Sequence, residues 1–293
     1  MNAPLVSVLL ASHGHAPYVE EAVRSICSQE GVDFELLVVD DGSPDESPEI
    51  LRRLADELGF ALVCRENRGI VATHNELLSM ARGRCVCTFS SDDVMPQGRL
   101  RAQSDFLLSR PGSVACFGQI RTIGPDGRLS PGIEPLYAKN VPEVRFEQVL
   151  LGERALHGCS EMILADALRS LGGYDPRFFF EDLPLFLALL AKFGPQPVSP
   201  DVVCCHYRLH GGNVHRDHER MYGEILRIVD LYRDHPLHGR ARALWKTRFF
   251  SALAADDKAA AIRLLPRLAN PSPEFLLRLP KLFLPGGLFG KRR

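Results

Sequence analysis

The hydrophobic positions of this chain alternate between unbroken runs and helical stripes. Leu5–Ala11 (LVSVLLA) is nearly all apolar, the pattern of a strand buried on both faces of a sheet. Ser12–His13–Gly14–His15 breaks the run. Val19, Ala22, Val23 and Ile26 then recur at helical spacing, with Pro17 tolerated near the start. Phe34–Asp40 is a second buried run and ends in Asp40–Asp41–Gly42–Ser43. Ser47 stands where a helix cap belongs, with Pro48 at the first helical position and Ile50, Leu51, Leu54 and Leu58 as the apolar stripe. Phe60–Cys64 predicts a third strand, Asn67–Arg68–Gly69 a turn and Ile70–Ala81 a helix. In Arg84–Asp93 the residues Val86, Thr88 and Phe89 suit a pleated surface and predict a fourth strand. It stops at Ser90–Ser91–Asp92–Asp93, and Pro96 keeps it from resuming. Strands and helices in this order predict a parallel sheet with right-handed crossovers.

The second half is less regular. Leu100–Arg110 reads as a helix, Val114–Ile123 as a strand, and Gly124–Pro125–Asp126–Gly127 as a turn joining a hairpin. Pro131–Pro142 is irregular, and Phe146–Leu151 gives one or two helical turns. Ala165–Leu171 is a short helix stopped by Gly172–Gly173. Leu183–Phe193 is an apolar helix, and Val202–Tyr207 is a buried strand before the polar loop Arg208–Arg216. Helical patterns follow over Met221–Arg233, Arg240–Ala254, Ala259–Leu268 and Glu274–Phe283. The expected class is α/β: a mostly parallel sheet flanked by helices over 1–216, then a helical appendage over 217–293.

Composition changes this picture in two places. With 45% hydrophobic and 24% charged residues among 293, the chain is ordinary for a soluble domain, and its net charge of −1 gives no field that points to nucleic acid. The charge is uneven, however. Residues 237–293 hold 12 Lys and Arg against 3 Asp and Glu, whereas the other 236 residues hold 23 against 33. A basic tail on an acidic body suggests contact with an anionic surface. The start Met1–Asn2–Ala3–Pro4 lacks the pattern of a signal peptide, and no apolar run is long enough to span a membrane. Cys85-x-Cys87 and Cys204–Cys205 lack zinc-site spacing, so all eight cysteines are expected as reduced thiols of a cytoplasmic protein.

In a parallel sheet, Ser12–His15, Asp40–Ser43, Asn67–Gly69 and Ser90–Asp93 open at one edge, where such sheets bind ligands. None has the G-x-G-x-x-G spacing of a dinucleotide site or the sequence of a P-loop. Together they offer a carboxylate (Asp41), a guanidinium (Arg68) and a carboxylate pair (Asp92, Asp93). A carboxylate accepts donors from a base or ribose, Arg forks onto phosphate, and a carboxylate-bound cation neutralises a diphosphate. That set describes a nucleoside-diphosphate ligand.

The runs Val6–Ser12, Leu37–Ser43 (LVVDDGS), Asn67–Gly69, Asp92–Asp93 and Glu181–Asp182, in this order over residues 5–216, resemble family 2 of the glycosyltransferases. These are inverting nucleotide-sugar enzymes with a GT-A fold. The resemblance implies a nucleotide-binding half (1–110) and an acceptor-binding half (111–216). Asp41 would hold the nucleobase, with Ala11 and Ser12 lining the same pocket. Asp92 would meet ribose or metal, and Asp93 would bind Mn2+ or Mg2+ directly. Asp182 would be the general base, with Glu181 beside it. Three aromatic residues (Phe178–Phe180) precede it, a setting expected to raise its pKa by desolvation. His157 would contact the acceptor, and in Tyr207–His210 the side chains of Arg208 and His210 would meet the diphosphate or the metal. His215 and His218 have weaker claims. There are two departures. His13–Gly14 stands where the family usually has an aromatic-Asn pair, and Ser90 where it often has an acid, which lowers the expected metal affinity.

The implied activity is transfer of a sugar from a nucleotide-diphosphate sugar to a saccharide or lipid-linked saccharide acceptor, in bacterial cell-surface polysaccharide, lipopolysaccharide or glycolipid synthesis. Residues 273–293 mix Phe275, Leu276, Leu279, Leu282 and Phe283 with Arg278, Lys281, Lys291, Arg292 and Arg293. An apolar face flanked by bases is how a peripheral enzyme lies in a membrane interface, here the inner face. Two other readings compete. A sugar nucleotidyltransferase needs a Gly- and Lys/Arg-rich triphosphate loop, which Ser12–His15 is not. A non-catalytic nucleotide-sugar binding module has no need of Asp182.

Overall fold

The computed structural model describes residues 3–129, 142–211, 218–270 and 272–283. The chain divides into two compact units, Met1–Phe146 with Leu156–Gly211, and Glu147–Ala155 with Gly212–Arg293.

The first unit is built on an eight-stranded sheet. β1 (Val6–Ser12), β2 (Phe34–Asp41), β3 (Ala61–Arg65) and β4 (Cys85–Ser90) alternate with α1 (Val19–Cys27), α2 (Ser47–Leu58) and α3 (Ile70–Met80). α4 (Arg99–Leu108), β5 (Ala115–Ile123), β6 (Glu143–Val144), α5 (Phe146–Leu150), β7 (Glu161–Leu164), α6 (Ala165–Ser170), α7 (Asp182–Phe193) and β8 (Gln196–Arg208) follow. The strand order is β3-β2-β1-β4-β7-β5-β8-β6. β1 to β4 are mutually parallel, β5 and β8 run with them, and β7 and β6 run against them. The sheet is therefore mixed and mostly parallel, as expected.

Every residue of β1 is buried, which is why its sequence shows no polar alternation. Val6, Val8 and Leu10 share a core with Val19, Val23 and Ile26 of α1 and Leu51 and Leu54 of α2. At about 25 cal/mol per Å2 of apolar surface, each fully buried side chain of this kind contributes about 1.5–3 kcal/mol. At the β5–β8 junction the register slips twice, around Gln119. Gly118 makes the slip passable, since a Cβ there would lie 2.7 Å from the Val202 carbonyl oxygen.

Four expectations need correction. Ser47 is not a helix cap. Glu46 holds that position without a side-chain bond, and the Ser47 hydroxyl instead accepts the His15 N–H at 3.1 Å. β7 and β6 escape the sequence pattern because four- and two-residue strands are too short to show a period. β8 begins six residues before the expected Val202, through Pro197 and Pro200, because the bulged pairing with β5 spares those positions from ladder bonds. Over 274–283, Pro280 breaks the expected helix into α11 (Pro273–Leu276) and a 3-10 turn, Leu279–Leu282. The turn at Gly124–Gly127 forms as expected, with Gly124 N–H donating to the Arg128 carbonyl at 2.8 Å. The expected irregular segment lies, over 130–141, outside the described residues, as does His215.

In the second unit, α8 (His218–Val229), α9 (His238–Asp256) and α10 (Lys258–Leu268) build a separate core from Phe249, Phe250, Leu253, Ala261, Leu264 and Phe275. Trp245 Nε1 donates to the Leu150 carbonyl at 2.9 Å and ties Glu147–Ala155 into this unit. Among the described residues no helix is long and apolar enough to cross a membrane. All eight cysteines carry free thiols.

Candidate active site

Because β1 to β4 are parallel, their C-terminal loops emerge at one sheet edge. Register fixes their spacing: Ser12 pairs with Asp40, Ala11 with Ser90, and Asp41 with Arg65. Ala11 and Ser12 are buried at the end of β1, and the Ser12 hydroxyl has no hydrogen-bond partner among the described residues.

The β2 loop fastens its neighbours. Asp40 accepts from the Ser43 N–H at 3.0 Å and the Ser43 hydroxyl at 2.6 Å. Ser43 in turn accepts the Gly14 N–H at 2.9 Å, and Asp45 accepts the Ala16 N–H at 2.9 Å. The buried Asp41 carboxylate accepts from Arg68 N at 2.7 Å, Gly69 N at 2.9 Å and the Arg65 guanidinium. Gly42 permits this approach, because a Cβ there would sit 2.6 Å from Asn67 N and the backbone φ is +74°. Asp41 thus fixes the Asn67–Gly69 turn, while the Arg68 side chain stands exposed at the edge.

At the end of β4 the two carboxylates part company. Asp93 is fully buried. Its Oδ1 accepts the Arg208 N–H at 2.8 Å, and its Oδ2 has no hydrogen-bond partner among the described residues. One of its oxygens clusters with the thiols of Cys159 and Cys205. Burial, with the Asp92 charge second, holds its pKa well above the usual carboxylate range. Asp92 faces the other way. Its Oδ2 lies 2.9 Å from His210 Nε2 and 3.8 Å from His15 Nε2. His15 Nδ1 lies 2.8 Å from the Ser91 hydroxyl. Burial lowers the His15 pKa, so the imidazole is neutral at pH 7 and fit to bind a cation.

Two expectations change here. Asp93 was expected to bind the metal directly, but its carboxylate groups with the buried thiols of Cys159 and Cys205, whereas at the sheet edge the donor atoms of His15, Asp92 and His210 lie within 4.8 Å of one another. Arg208 was expected to meet the ligand, yet its side chain is 1% exposed and turned inward. Its guanidinium donates to the Asp92 carbonyl at 2.8 Å, to the Gly124 and Pro125 carbonyls at 3.3 and 3.2 Å, and to Glu21 at 2.6 Å. It also stacks 4.8 Å from the Tyr18 ring. Nothing in the spacing of Arg208 signals this inward turn. His15 gave no signal in the sequence because the residues it meets, Ser91, Asp92 and His210, lie far along the chain.

Further acids gather where α7 begins. Asp182 Oδ1 accepts the Leu183 N–H at 2.6 Å. Burial pushes the Asp182 pKa up to about 6 against that hydrogen bond. Glu181 rises to about 8 through burial and the Asp182 charge. His74 Nδ1 lies 4.0 Å from Glu181, and burial lowers the His74 pKa to about 4, so it is neutral. Glu161 on β7 was not anticipated. Its Oε1 accepts from Thr88 at 3.2 Å, its Oε2 has no hydrogen-bond partner among the described residues, and burial raises its pKa to about 8. Thr88 also donates to the Gly158 carbonyl at 3.0 Å, next to the half-buried His157. The His157 ring lies 6.1 Å from that of Tyr207.

Glu161 gives a pH dependence with a definite sign. An unfolded Glu ionises near 4.3, and the folded one near 8. Between those values the native state holds the extra proton, so stability falls as pH rises and levels off above 8. Urea midpoints at pH 5 and pH 8.5 should differ less in Glu161→Gln than in the parent chain; equal slopes would contradict the assignment.

Residues 7–172 match the family model Glycosyl transferase family 2. Hyaluronan synthase of Pasteurella multocida is 30% identical over 218 residues, 72% of this chain and 21% of that protein. The putative teichuronic acid biosynthesis glycosyltransferase TuaG of Bacillus subtilis is 34% identical over 109 residues, 36% of this chain and 43% of that protein. The chain thus spans less than half the length of these relatives. S. aureus TarS 1–349 in complex with UDP-GlcNAc has the same fold, with a TM-score of 0.65 at 17% identity, covering 94% of this chain and 80% of that one. The mannosyltransferase PcManGT from Pyrobaculum calidifontis, in complex with GDP-Man and Mn2+, gives 0.61 at 21% identity, covering 94% and 79%. The family model covers more than half of the sequence and these neighbours share its fold, so the chain belongs to glycosyl transferase family 2 and has the GT-A fold.

Proposed function

We propose that this glycosyltransferase moves a sugar from a nucleoside-diphosphate sugar to an acceptor hydroxyl, with inversion, in the synthesis of a bacterial surface polysaccharide. The observation that carries the reading is the placement of two carboxylate sites in different settings on one fold. Asp92 faces two imidazoles at the sheet edge, and Asp182 opens α7 with a pKa of about 6. The relatives supply the setting: they are named for hyaluronan and teichuronic acid synthesis, and the neighbours carry UDP-GlcNAc or GDP-Man.

Asp182 is half-buried and mostly ionised at pH 7–8. It takes the proton of the acceptor hydroxyl as that oxygen attacks C1 from the face opposite the diphosphate. The bond from C1 to the diphosphate oxygen breaks, and the nucleoside diphosphate leaves with the electron pair. Asp92 and His210 would hold a divalent cation, Mn2+ or Mg2+, whose charge stabilises the leaving diphosphate. Asp93 and Arg208 act behind them as positioning residues: Arg208 clamps the Asp92 carbonyl and the Asp93 carboxylate. Asp41 presents the Asn67–Gly69 turn to the nucleoside, with Ala11 and Ser12 beneath it. Arg68 is left to reach the donor from the edge, and Glu181 and His157 to line the acceptor side.

Asp182→Asn separates this enzyme from a nucleotide-binding module. Sugar transfer should fall about 100- to 10,000-fold while nucleotide-sugar binding stays intact. Unchanged transfer would remove Asp182 as the base. In the parent chain kcat/KM should rise with pH through a lower limb near pH 6, and Asp182 and Glu181 titrate as a pair.

The second unit supports contact with the inner face of the membrane. Leu276, Leu277 and Phe283 are 56%, 78% and 85% exposed, beside Arg278 and Lys281. Apolar tips with flanking bases suit an anionic bilayer surface, close to a lipid-linked acceptor. Residues 284–293 of the expected segment lie outside the described residues. The full chain should sediment with phosphatidylglycerol vesicles and be released by high salt, and Leu276→Ser with Leu277→Ser should weaken binding about tenfold or more. Indifference of the parent chain to the vesicles would discard the membrane contact.

A further inference from the structure

The loop after β1 carries a histidine that the nucleotide-sugar reading leaves without a task. His15 is held from both ends. Its N–H donates to the Ser47 hydroxyl, and the flanking Gly14 and Ala16 N–H groups donate to Ser43 and Asp45. Its Nδ1 meets Ser91 Oγ at 2.8 Å. With Nδ1–H donating to Ser91, the Nε2 lone pair points toward Asp92 Oδ2, 3.8 Å away. In that tautomer a cation placed between the two atoms would be bound by both. His210 Nε2 reaches the same Oδ2 from the opposite end of the chain. The His210 ring is braced 5.1 Å from Tyr18 and stands edge-on to His15 at 5.6 Å. An imidazole fixed at one nitrogen by an outer hydroxyl and open at the other is the usual arrangement of a metal-ligating histidine.

We propose that His15 is a third ligand of the cation held by Asp92 and His210, and that two imidazoles with one carboxylate select transition ions such as Mn2+ over Mg2+. The inference rests on the assignment of Asp92 and His210 made above. It goes further by giving this chain a nitrogen-rich site in place of an all-oxygen one. Imidazole suits transition ions, whereas Mg2+ keeps oxygen ligands and several waters. The acid missing at Ser90 is then made good from another loop. Ser90 removes an oxygen donor, and His15 restores a donor from the neighbouring strand. Access is available from the His15 side, which is 23% exposed against 9% for Asp92 and 10% for His210.

The test is Mn2+ binding to the full chain, followed by the EPR signal of free Mn2+ and by pulsed EPR of the bound ion, with and without UDP. The bound ion in the parent chain should show nitrogen couplings from two imidazoles, and a hundredfold excess of Mg2+ should displace it only partly. His15→Ala should keep one coupling and bind Mn2+ at least tenfold more weakly, and Ser91→Ala should weaken it about tenfold through loss of the outer bond. His13→Ala, an exposed neighbour in the same loop, should behave as the parent chain. Urea midpoints in EDTA separate loss of ligation from loss of fold. Two nitrogen couplings that persist in His15→Ala would overturn the assignment, as would equal Mn2+ affinity of that variant and the parent. Failure of Mn2+ to bind while UDP still raises the Tm would overturn the three-ligand site and leave the nucleotide-sugar reading standing.

Discussion

The position of the Asp92 carboxylate depends on a buried arginine. Arg208, the last residue of β8, donates its backbone N–H to Asp93 and its guanidinium to the Asp92 carbonyl, so both residues of the β4 turn are held by one residue. Removing a guanidinium from water costs several kcal/mol. Here that cost is offset by three carbonyl acceptors, the Tyr18 ring and the carboxylate of Glu21. Glu21 is 55% exposed, so solvent screens part of its attraction, and geometry carries more of the effect than Coulomb energy does. The same contacts bring the β8 end beside the β4 end, which is what lets His210, two residues on, reach Asp92.

A second constraint is charge in a dry interior. Asp93, Glu161, Glu181 and Asp182 all have raised pKa values with burial as the first cause. Their environments nevertheless differ enough to divide the labour. Asp93 and Glu161 each keep an oxygen without a hydrogen-bond partner among the described residues, a setting that disfavours the charged form. Asp182 sits lowest of the three with stated values, near the pH at which a base must be ionised yet still basic. Asp92 is set differently, facing the imidazoles of His15 and His210.

Much of the fold was legible because the first half of the chain is locally consistent. Leu5–Ala11 and Phe34–Asp40 are long apolar runs, and each is followed by a helix with a clear stripe. The parallel order of β1 to β4 and the shared edge of their loops follow from that alternation alone. β6 and β7 were not legible, because two and four residues carry no period and their pairing is antiparallel and non-local. At the site, the sequence located the loops but not the directions of the side chains. The direction of Asp92 and Asp93 is not written in their adjacency: in the turn after β4, held by Arg208, Asp92 faces His15 and His210 while Asp93 faces the thiols of Cys159 and Cys205. His15 carried no signal of its own in the Ser12–His15 loop, since its meaning lies in contacts with Ser91, Asp92 and His210, all distant along the chain.

The central claim is that the edge formed by β1, β2 and β4 binds a nucleoside-diphosphate sugar through a cation on Asp92. A thermal-shift panel of UDP-, GDP- and dTDP-sugars, each with Mn2+ and with EDTA, tests it most directly. A ligand at 100 times its Kd stabilises the native state by about 2.7 kcal/mol, a shift of several degrees. The account predicts a Mn2+-dependent rise in Tm with one nucleotide, lost in Asp92→Ala. No shift with any donor, or a full shift in Asp92→Ala, would contradict it.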